Sequence, residues 1–415
     1  MLETDGMRID GATLVSRLRE LGRVGRDEQS RLSRLAVSDA DKAGRDLFVQ
    51  WARAAGLDVE VDRVGNIFAI LHVANGEPSA PVMMGSHIDT VTDAGILDGC
   101  YGVLAGLSVI EAIQASGVRP AVPVAVAAFT NEEGVRYAPD MMGSLVYAGR
   151  MDVDEALAAR GTDGTVLGEE LTRIGYAGSG MARFPTPRAY VELHIEQGPI
   201  LEREGIAIGA VENLQGISWQ RVTVEGVANH AGTTPMSMRR DAGQAAARVV
   251  TFLSDRFKHA DASTVATVGC MEFHPNAINV VPGRATFTVD LRDPDAARLT
   301  EEERVLRGYL DQLAAKEGVA ITLERLARSE PVSFDPHIVQ IIEASVHASG
   351  YSVRRMTSGA GHDAQMMALV CPTAMIFVPS RGGISHNPNE HTDDADLIKG
   401  ATILLDVVTR LLDDP

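Results

Sequence analysis

The sequence predicts an α/β protein with two domains: a larger domain with a mostly parallel mixed sheet covered by helices, and an inserted ferredoxin-like α+β domain. Three observations predict this class. Short, uniformly apolar strands alternate with helices in the first part of the chain, as in sheets that are covered on both faces. A block in the middle has the order β-α-β-β-α-β instead. Helices and a buried strand then return toward the C-terminus.

The elements before the middle block are two helices and three strands. Ser38 is placed to cap a helix over residues 38–56, and Gly56 ends it. A second helix, over 102–117, carries apolar residues at helical spacing. Three short apolar runs predict buried strands, and they cover 81–86, 122–129 and 190–195.

The middle block forms a domain of its own, which we place at residues 213–328. Residues 284–292 alternate strictly between apolar and polar side chains, which indicates a half-exposed antiparallel strand. The other predicted elements, in chain order, are a strand, a helix, a strand, a helix and a strand over 217–225, 241–257, 263–270, 301–316 and 320–326.

The larger domain is therefore discontinuous, with residues 1–212 before the inserted domain and 329–415 after it. Its second part contains a helix, a buried strand and a long final helix over 335–349, 373–378 and 394–412.

The composition argues against several classes of protein. The 415 residues include 38 Lys and Arg against 56 Asp and Glu, a net charge of −18, which argues against nucleic acid or an anionic membrane surface as a partner. No apolar run is long enough to span a membrane, and the N-terminus has no signal-peptide pattern. Three widely separated cysteines form no CxxC pair, so we expect a cytoplasmic protein.

Polar residues directly follow the predicted strand over 81–86. His87 and Asp89 are two residues apart, so both side chains point to the same side. Asp89 is placed to hold the second ring nitrogen of a metal-bound His87. Glycines around Asp98 allow a tight loop that returns its carboxylate to this edge. The alternative for Asp98 is a cap of the following helix.

Adjacent glutamates, Glu132 and Glu133, follow the strand over 122–129. Carboxylates at the end of a buried strand are costly unless something neutralises them. One could bind metal while its neighbour acts as a general base, and the alternative is a solvated loop. His194 ends another strand and His386 lies in a polar loop. Their alternatives are a structural histidine and a solvated loop residue.

Together these residues predict a metal site at one edge of the sheet, where α/β folds place their sites. Three histidines and two carboxylates suit two ions such as Zn²⁺ or Mn²⁺. One carboxylate would have to bridge the ions, and such a pair can activate a shared water. No P-loop, GxSxG or HExxH motif competes with this interpretation. The candidate ligands are His87, Asp98, Glu133, His194 and His386.

Eight segments are specific in combination: GSHIDTV (85–91), LDGCYGVLAG (97–106), TNEEGVRY (130–137), ELHIEQGPILE (192–202), NHAGTTPMSMRRDA (229–242), NVVPGRATFTVDLR (279–292), SGAGHDA (358–364) and SHNPNE (385–390). They resemble the co-catalytic metallo-amidohydrolases of the carboxypeptidase-G and aminoacylase clan. The closest resemblance is to the branch of N-carbamoyl-L-amino acid amidohydrolases, β-ureidopropionases and allantoate amidohydrolases. It extends from about residue 10 to the C-terminus.

The resemblance implies two divalent ions per subunit, with Zn²⁺ as the first expectation and Mn²⁺, Co²⁺ or Ni²⁺ as alternatives. Asp98 would bridge them, Glu132 would be the general base on the shared water, and Asp89 would support the centre. The remaining ligands would be His87 and His194 at one ion, and Glu133 and His386 at the other.

The resemblance also implies a substrate pocket and a homodimer formed through the inserted domain, which would act as a lid as well. His230 would polarise the scissile carbonyl, in the site of the partner subunit. Asn279 and Arg292 would hold the substrate carboxylate, and a guanidinium fork at the end of a half-exposed strand suits that role. The pocket would further be lined by Gln197 and by the loop from Gly359 to Gly361.

The implied reaction is hydrolysis of the carbamoyl C–N bond of a small ureido acid, an N-carbamoyl-L-amino acid, to the amino acid, ammonia and carbon dioxide. Allantoate amidohydrolase and β-ureidopropionase are the alternatives that these motifs separate poorly. A peptidase or deacylase of the wider clan fits the NEEG and HIEQG motifs less well. An inactive ligand-binding homologue is the alternative from another class, although every expected ligand and the base are present.

Overall fold

The computed structural model describes residues 6–73, 79–180, 186–258 and 263–413. The chain forms two compact units. The larger comprises Met1–Glu212 with Ser333–Pro415, and the smaller comprises Asn213–Val332. Across the described ranges, no helix is both long enough and apolar enough to cross a membrane.

Helices and strands alternate in the first half of the chain. The helices are α1 (Gly11–Leu21), α2 (Asp39–Ala54), α3 (Cys100–Ala115), α4 (Met142–Tyr147), α5 (Val153–Leu157), α6 (Leu167–Ile174) and α7 (Ile200–Glu204). The strands are β1 (Asp58–Val61), β2 (Ile67–Leu71), β3 (Val82–His87), β4 (Val124–Phe129), β5 (Ala189–Ile195) and β6 (Ile208–Leu214). The five elements predicted here are confirmed, and Ser38 caps α2 by accepting the N–H of Asp41 at 3.2 Å.

The smaller unit continues the numbering. Its helices are α8 (Ala242–Phe257) and α9 (Ala296–Glu317). Its strands are β7 (Gly216–Glu225), β8 (Asn229–His230), β9 (Val265–Thr267), β10 (Met271–His274), β11 (Val280–Val281), β12 (Arg284–Asp293) and β13 (Ala320–Ser329).

The main sheet of the smaller unit has the order β10-β12-β7-β13, and β9 also pairs with β12. All of these pairs are antiparallel, and the order is that of a ferredoxin-like domain. The predicted strand over 263–270 is shorter than expected, because β9 and β10 divide the pairing along β12. Helix α9 begins before the predicted residue 301, because Asp295 caps it by accepting the N–H of Arg298.

The last part of the chain contributes β14 (Val332–Ser333), α10 (Pro336–Ala348), β15 (Val353–Ser358), α11 (Asp363–Met367), β16 (Thr373–Val378) and α12 (Asp394–Asp413). The large sheet has the order β1-β2-β4-β3-β5-β16-β6-β14, and β15 pairs with β6. Its centre is parallel, since β3 pairs in parallel with β4 and β5, and β5 with β16. Its flanks are antiparallel at β1–β2, β2–β4 and β6–β16.

Every residue of the four central strands is buried. Helices α3 and α12 pack on this part of the sheet and on each other, while α4 and α11 form a second packed pair that contacts it. Strands covered on both faces need no polar side, which explains their uniformly apolar sequences. The predicted α/β class is confirmed.

Candidate metal centre

The predicted ligands follow neighbouring strands of the sheet. The four parallel strands lie in the order β4-β3-β5-β16, so their carboxyl ends meet at one edge. His87 is the last residue of β3 and His194 is the next-to-last residue of β5. Glu133 follows β4, and His386 follows β16. The side chains that the sequence places at separate strand ends therefore share one location.

Asp98 lies at the centre of this group and presents one oxygen to each side. Its Oδ1 lies 3.6 Å from Nε2 of His87 and 3.2 Å from Nε2 of His194. Its Oδ2 lies 3.2 Å from Nε2 of His386, and the same nitrogen lies 3.4 Å from Oε2 of Glu133. Two three-residue groups of potential metal ligands thus have Asp98 in common.

The spacing of these atoms fits a pair of divalent ions. Ligand atoms bound about 2.0–2.2 Å from a tetrahedral ion lie roughly 3.3–3.6 Å apart, and four of the separations within the two groups are 3.2–3.6 Å. Oε1 of Glu133 is buried and accepts no hydrogen bond from the described residues, which leaves it available to an ion. Imidazole and carboxylate are ligands that Zn²⁺ and Mn²⁺ accept.

A glycine allows the loop of Asp98 to approach His87. Gly99 has φ +65°, a left-handed conformation, and a Cβ at this position would lie 2.4 Å from the His87 ring. Its N–H donates to Nε2 of His194 at 3.1 Å. A side chain at residue 99 would therefore push Asp98 away from His87 and His194.

The ionisable side chains of this group shift one another's pKa. Burial alone would raise the pKa of Asp98, but hydrogen bonds from His194, His386 and His87 hold that pKa well below its usual range. The hydrogen bond to Asp98 raises the pKa of His386 to about 9. Burial and the charge of Asp98 raise the pKa of Glu133 to about 7. Without cations, the centre therefore retains protons that bound ions would displace.

Glu132 lies beside this group rather than within it. It is buried, and its Oε2 lies 3.4 Å from Nε2 of His87. Burial raises the pKa of Glu132 well above its usual value. A carboxylate that holds a proton more readily than usual, next to a metal-ligand cluster, has the properties of a general base.

Asp89 differs from the sequence-based expectation. We expected its carboxylate to hold the His87 ring, but Nδ1 of His87 lies 2.9 Å from the main-chain oxygen of Asp89. The carboxylate instead accepts the main-chain N–H groups of Glu132 and Glu133, each at 3.3 Å. The difference follows from the turn after β3, which brings the carbonyl of residue 89 back to the ring.

Two predicted pocket segments lie near the ligand groups. Gln197 donates from Nε2 to Oδ2 of Asp98 at 2.7 Å. The loop that contains Gly359 and Gly361 connects to the centre through His362, whose ring centroid lies 4.6 Å from that of His194.

The other predicted substrate residues lie in the smaller unit. His230 in β8 pairs with Val280 in β11, and the N–H of Ala231 donates to the carbonyl of Asn279 at 2.9 Å, so His230 and Asn279 are neighbours. Arg292, near the end of β12, pairs with Asp290, and its Nη2 lies 2.9 Å from Oδ2 of Asp290.

Two buried charged residues near the ligands escaped the sequence-based interpretation. Glu192 accepts from Oγ of Ser86 at 2.7 Å and from the N–H of Ala364 at 2.8 Å. A glutamate in an otherwise apolar strand was the available signal. Arg34 is fully buried and donates to the carbonyl of Ile88 at 2.7 Å and to Sγ of Cys100 at 3.0 Å. No local pattern marks this arginine as buried.

Comparisons with known proteins identify relatives of the whole chain. Residues 83–410 match the model of peptidase family M20/M25/M40. An N-carbamoyl-L-amino-acid amidohydrolase of Rhizobium meliloti is 38% identical over 405 residues, 97% of each chain. An allantoate amidohydrolase of Escherichia coli is 36% identical over 389 residues, 92% of this chain and 94% of that one. A crystal structure of an amidase of the hydantoinase/carbamoylase family from Burkholderia multivorans has a TM-score of 0.94 at 43% identity, and the match covers 99% of each chain.

Proposed function

The chain belongs to peptidase family M20/M25/M40, and on this premise we propose that it is a dinuclear metal-dependent amidohydrolase of N-carbamoyl-L-amino acids. It would cleave the carbamoyl C–N bond and release the amino acid, ammonia and carbon dioxide. The observation that carries the proposal is the position of Asp98, whose two oxygens face separate ligand groups. The amidohydrolase relative from Rhizobium meliloti supports the choice of substrate class.

The proposed ligands are His87 and His194 on one side of Asp98, and Glu133 and His386 on the other. Two divalent ions held there, with Zn²⁺ as first choice, would act as Lewis acids and lower the pKa of a shared water.

Glu132 would take a proton from the water that attacks the carbamoyl carbon. The carboxylate would keep that proton until the C–N bond breaks, when the proton passes to the leaving nitrogen. Asp89 would support this step by fixing the main chain at the glutamate pair.

Substrate recognition is proposed to involve one arginine and several uncharged polar groups. Arg292 would pair with the substrate carboxylate, since a guanidinium can form two parallel hydrogen bonds with it. Asn279 would support that contact, and His230 would stabilise the oxyanion of the carbonyl. The pocket is proposed to include Gln197 and the loop from Gly359 to Gly361. The smaller unit would serve as lid and as homodimer interface, in a cytoplasmic enzyme.

Allantoate is the second candidate substrate. It is also a ureido acid with a carboxylate, and the allantoate amidohydrolase of Escherichia coli is nearly as similar to this chain as the relative from Rhizobium meliloti. A β-ureido acid differs from an α-ureido acid by one methylene, a difference that a pocket discriminates by about 1–3 kcal/mol.

A panel of substrates tests the proposal. Ammonia release would be measured with N-carbamoyl-L-amino acids, their D enantiomers, N-carbamoyl-β-alanine and allantoate, on protein whose metal has been identified. We expect the highest kcat/KM with an N-carbamoyl-L-amino acid. A higher kcat/KM with allantoate or N-carbamoyl-β-alanine would transfer the proposal to that substrate, and no ammonia release with any of them would overturn it.

A further inference from the structure

We propose that Glu390 is a positioning residue that holds the loop of Asp98 and the loop of His386 in register, so that both ligands reach the same pair of ions. The inference rests on the proposed function, because it concerns the proposed ligands. Glu390 lies in the SHNPNE segment, on the same loop as His386. Glu390 is only 7% exposed.

One carboxylate oxygen of Glu390 is bound to the loop that carries Asp98. Oε1 accepts the main-chain N–H of Leu97 at 2.9 Å and that of Asp98 itself at 3.3 Å. Two successive N–H groups that point at one oxygen fix the peptide plane from which the Asp98 side chain extends. The direction of that side chain, and thus the position of both of its oxygens, depends on this contact.

The other carboxylate oxygen is bound to the loop that carries His386. Oε2 lies 2.9 Å from Oγ of Ser385, the residue directly before His386. The same Oγ lies 3.0 Å from Oδ2 of Asp98, so Ser385 lies between the two carboxylates and can donate its one hydroxyl proton to either. His386 itself has φ +51°, an uncommon conformation for a residue other than glycine, and its loop needs such an anchor.

Gly95 provides the space for this carboxylate. A Cβ at residue 95 would lie 2.1 Å from Oε1 of Glu390 and 2.4 Å from its Cβ. No real Cβ tolerates such distances, so any side chain at residue 95 would displace Glu390. The glycine therefore gives a second way to move the carboxylate without changing it.

A buried carboxylate bound to main-chain N–H groups could also be a purely structural helix cap, and Glu196 is that case. Glu196 is 8% exposed, and its two oxygens accept the N–H groups of Ile200 and Leu201 at the start of α7, at 2.8 and 2.9 Å. It matches Glu390 in burial and in the number of main-chain donors, but it links no two ligand loops. It is therefore the control.

The test measures metal binding by the full-length chain rather than turnover. The number of Co²⁺ ions and their dissociation constants would be determined by competition with a chelator for wild type, Glu390→Ala, Glu390→Gln, Gly95→Ala and Glu196→Ala. Partners that orient metal ligands typically contribute 10–100-fold to metal affinity. We expect that loss for at least one ion in Glu390→Ala and in Gly95→Ala, and a wild-type result for Glu196→Ala.

Glu390→Gln separates geometry from charge. The amide oxygen can still accept from Leu97 and Asp98, and the amide nitrogen can donate to Ser385. We therefore expect metal affinities within about threefold of wild type, a much smaller loss than in Glu390→Ala. If Glu390→Ala does not fold, the comparison of Gly95→Ala with Glu390→Gln decides. The proposal is overturned if Glu390→Ala binds both ions as wild type does, if Glu390→Gln loses as much affinity as Glu390→Ala, or if Glu196→Ala loses equally. Wild-type protein that binds no ion would overturn the proposed function instead, and this inference with it.

Discussion

His87 and Asp89 are joined through the main chain, since Nδ1 of His87 lies 2.9 Å from the carbonyl oxygen of Asp89 and 3.9 Å from its nearest carboxylate oxygen. In a neutral ring, an Nδ1–H that donates to a carbonyl leaves the other nitrogen, Nε2, unprotonated and able to bind an ion. The Asp89 carboxylate is thereby free to accept the main-chain N–H groups of Glu132 and Glu133. This carboxylate orients the proposed base Glu132 and the proposed ligand Glu133, and it does not orient His87.

Replacement of Asp89 by asparagine should therefore affect turnover more than metal binding. An asparagine has one acceptor oxygen for two N–H groups, and its own NH₂ would face a donor. We expect kcat to fall by about tenfold or more while two ions remain bound, on the scale of other supporting residues. Metal titration and steady-state kinetics measure both. An unchanged kcat in Asp89→Asn would show that the carboxylate does not orient Glu132.

Glu132→Gln should retain both ions and lose activity by about 10²–10⁴-fold, because an amide cannot accept the proton of the water. Glu196→Gln is the matched control, since residues 132 and 196 are both buried glutamates with 8% exposure. Metal content by elemental analysis and kcat by ammonia release are the measurements. Wild-type kcat in Glu132→Gln would remove Glu132 from the mechanism.

The sequence predicts the order of elements well where one physical signal dominates. The apolar runs at β3, β4 and β5 have no polar side because both faces are covered, and the strict alternation of β12 reflects one buried face. The short flanking strands β1 and β15 escaped prediction because they are only partly buried and their polar residues resemble loops.

The ligand positions could be predicted because strand ends in a parallel sheet have one common edge. The contacts that hold these ligands in place could not be predicted from the sequence. Whether Asp89 acts through its carbonyl or its carboxylate depends on the path of one turn. Glu390 and Asp98 are 292 positions apart in the chain, and no local pattern relates them.

Arg292→Lys should raise KM more than it lowers kcat if Arg292 holds the substrate carboxylate. A lysine keeps the charge but loses the fork of two parallel hydrogen bonds, for which we expect a loss of roughly 10–100-fold in kcat/KM. Arg284→Lys is the control on the same strand, where Arg284 pairs with Glu225 in an exposed position. Unchanged kinetics in Arg292→Lys and Arg292→Ala would exclude the contact.

The metal-free protein should lose stability as the pH rises from about 4.5 to about 9. Burial raises the pKa of Glu133 to about 7. Its contribution to the free energy of unfolding is therefore complete below the usual pKa of about 4.5 and disappears as the pH rises past 7. The hydrogen bond to Asp98 raises the pKa of His386 to about 9, and its contribution disappears in the same direction between about 6.5 and 9.

Metal binding should oppose this loss, because ions bind the deprotonated ligands more tightly as the pH rises. The difference in Tm between metal-loaded and chelator-treated protein should therefore grow from pH 5 to pH 8. In Glu133→Gln, the Tm of the metal-free form should change less between pH 5 and pH 7 than in wild type. A metal-free Tm that rises over this interval would contradict the assigned protonation of the centre.

Asp98 would be shared by two ions in the proposed hydrolysis of a carbamoyl group, and a metal titration tests this role most directly. Metal-free protein would receive measured amounts of Zn²⁺ or Co²⁺, and ammonia release from an N-carbamoyl-L-amino acid would be followed at each addition. We predict no release without metal and a maximum at two ions per chain, because Asp98 serves two ligand groups. Full activity in the metal-free protein, or a maximum already at one ion, would contradict the dinuclear account.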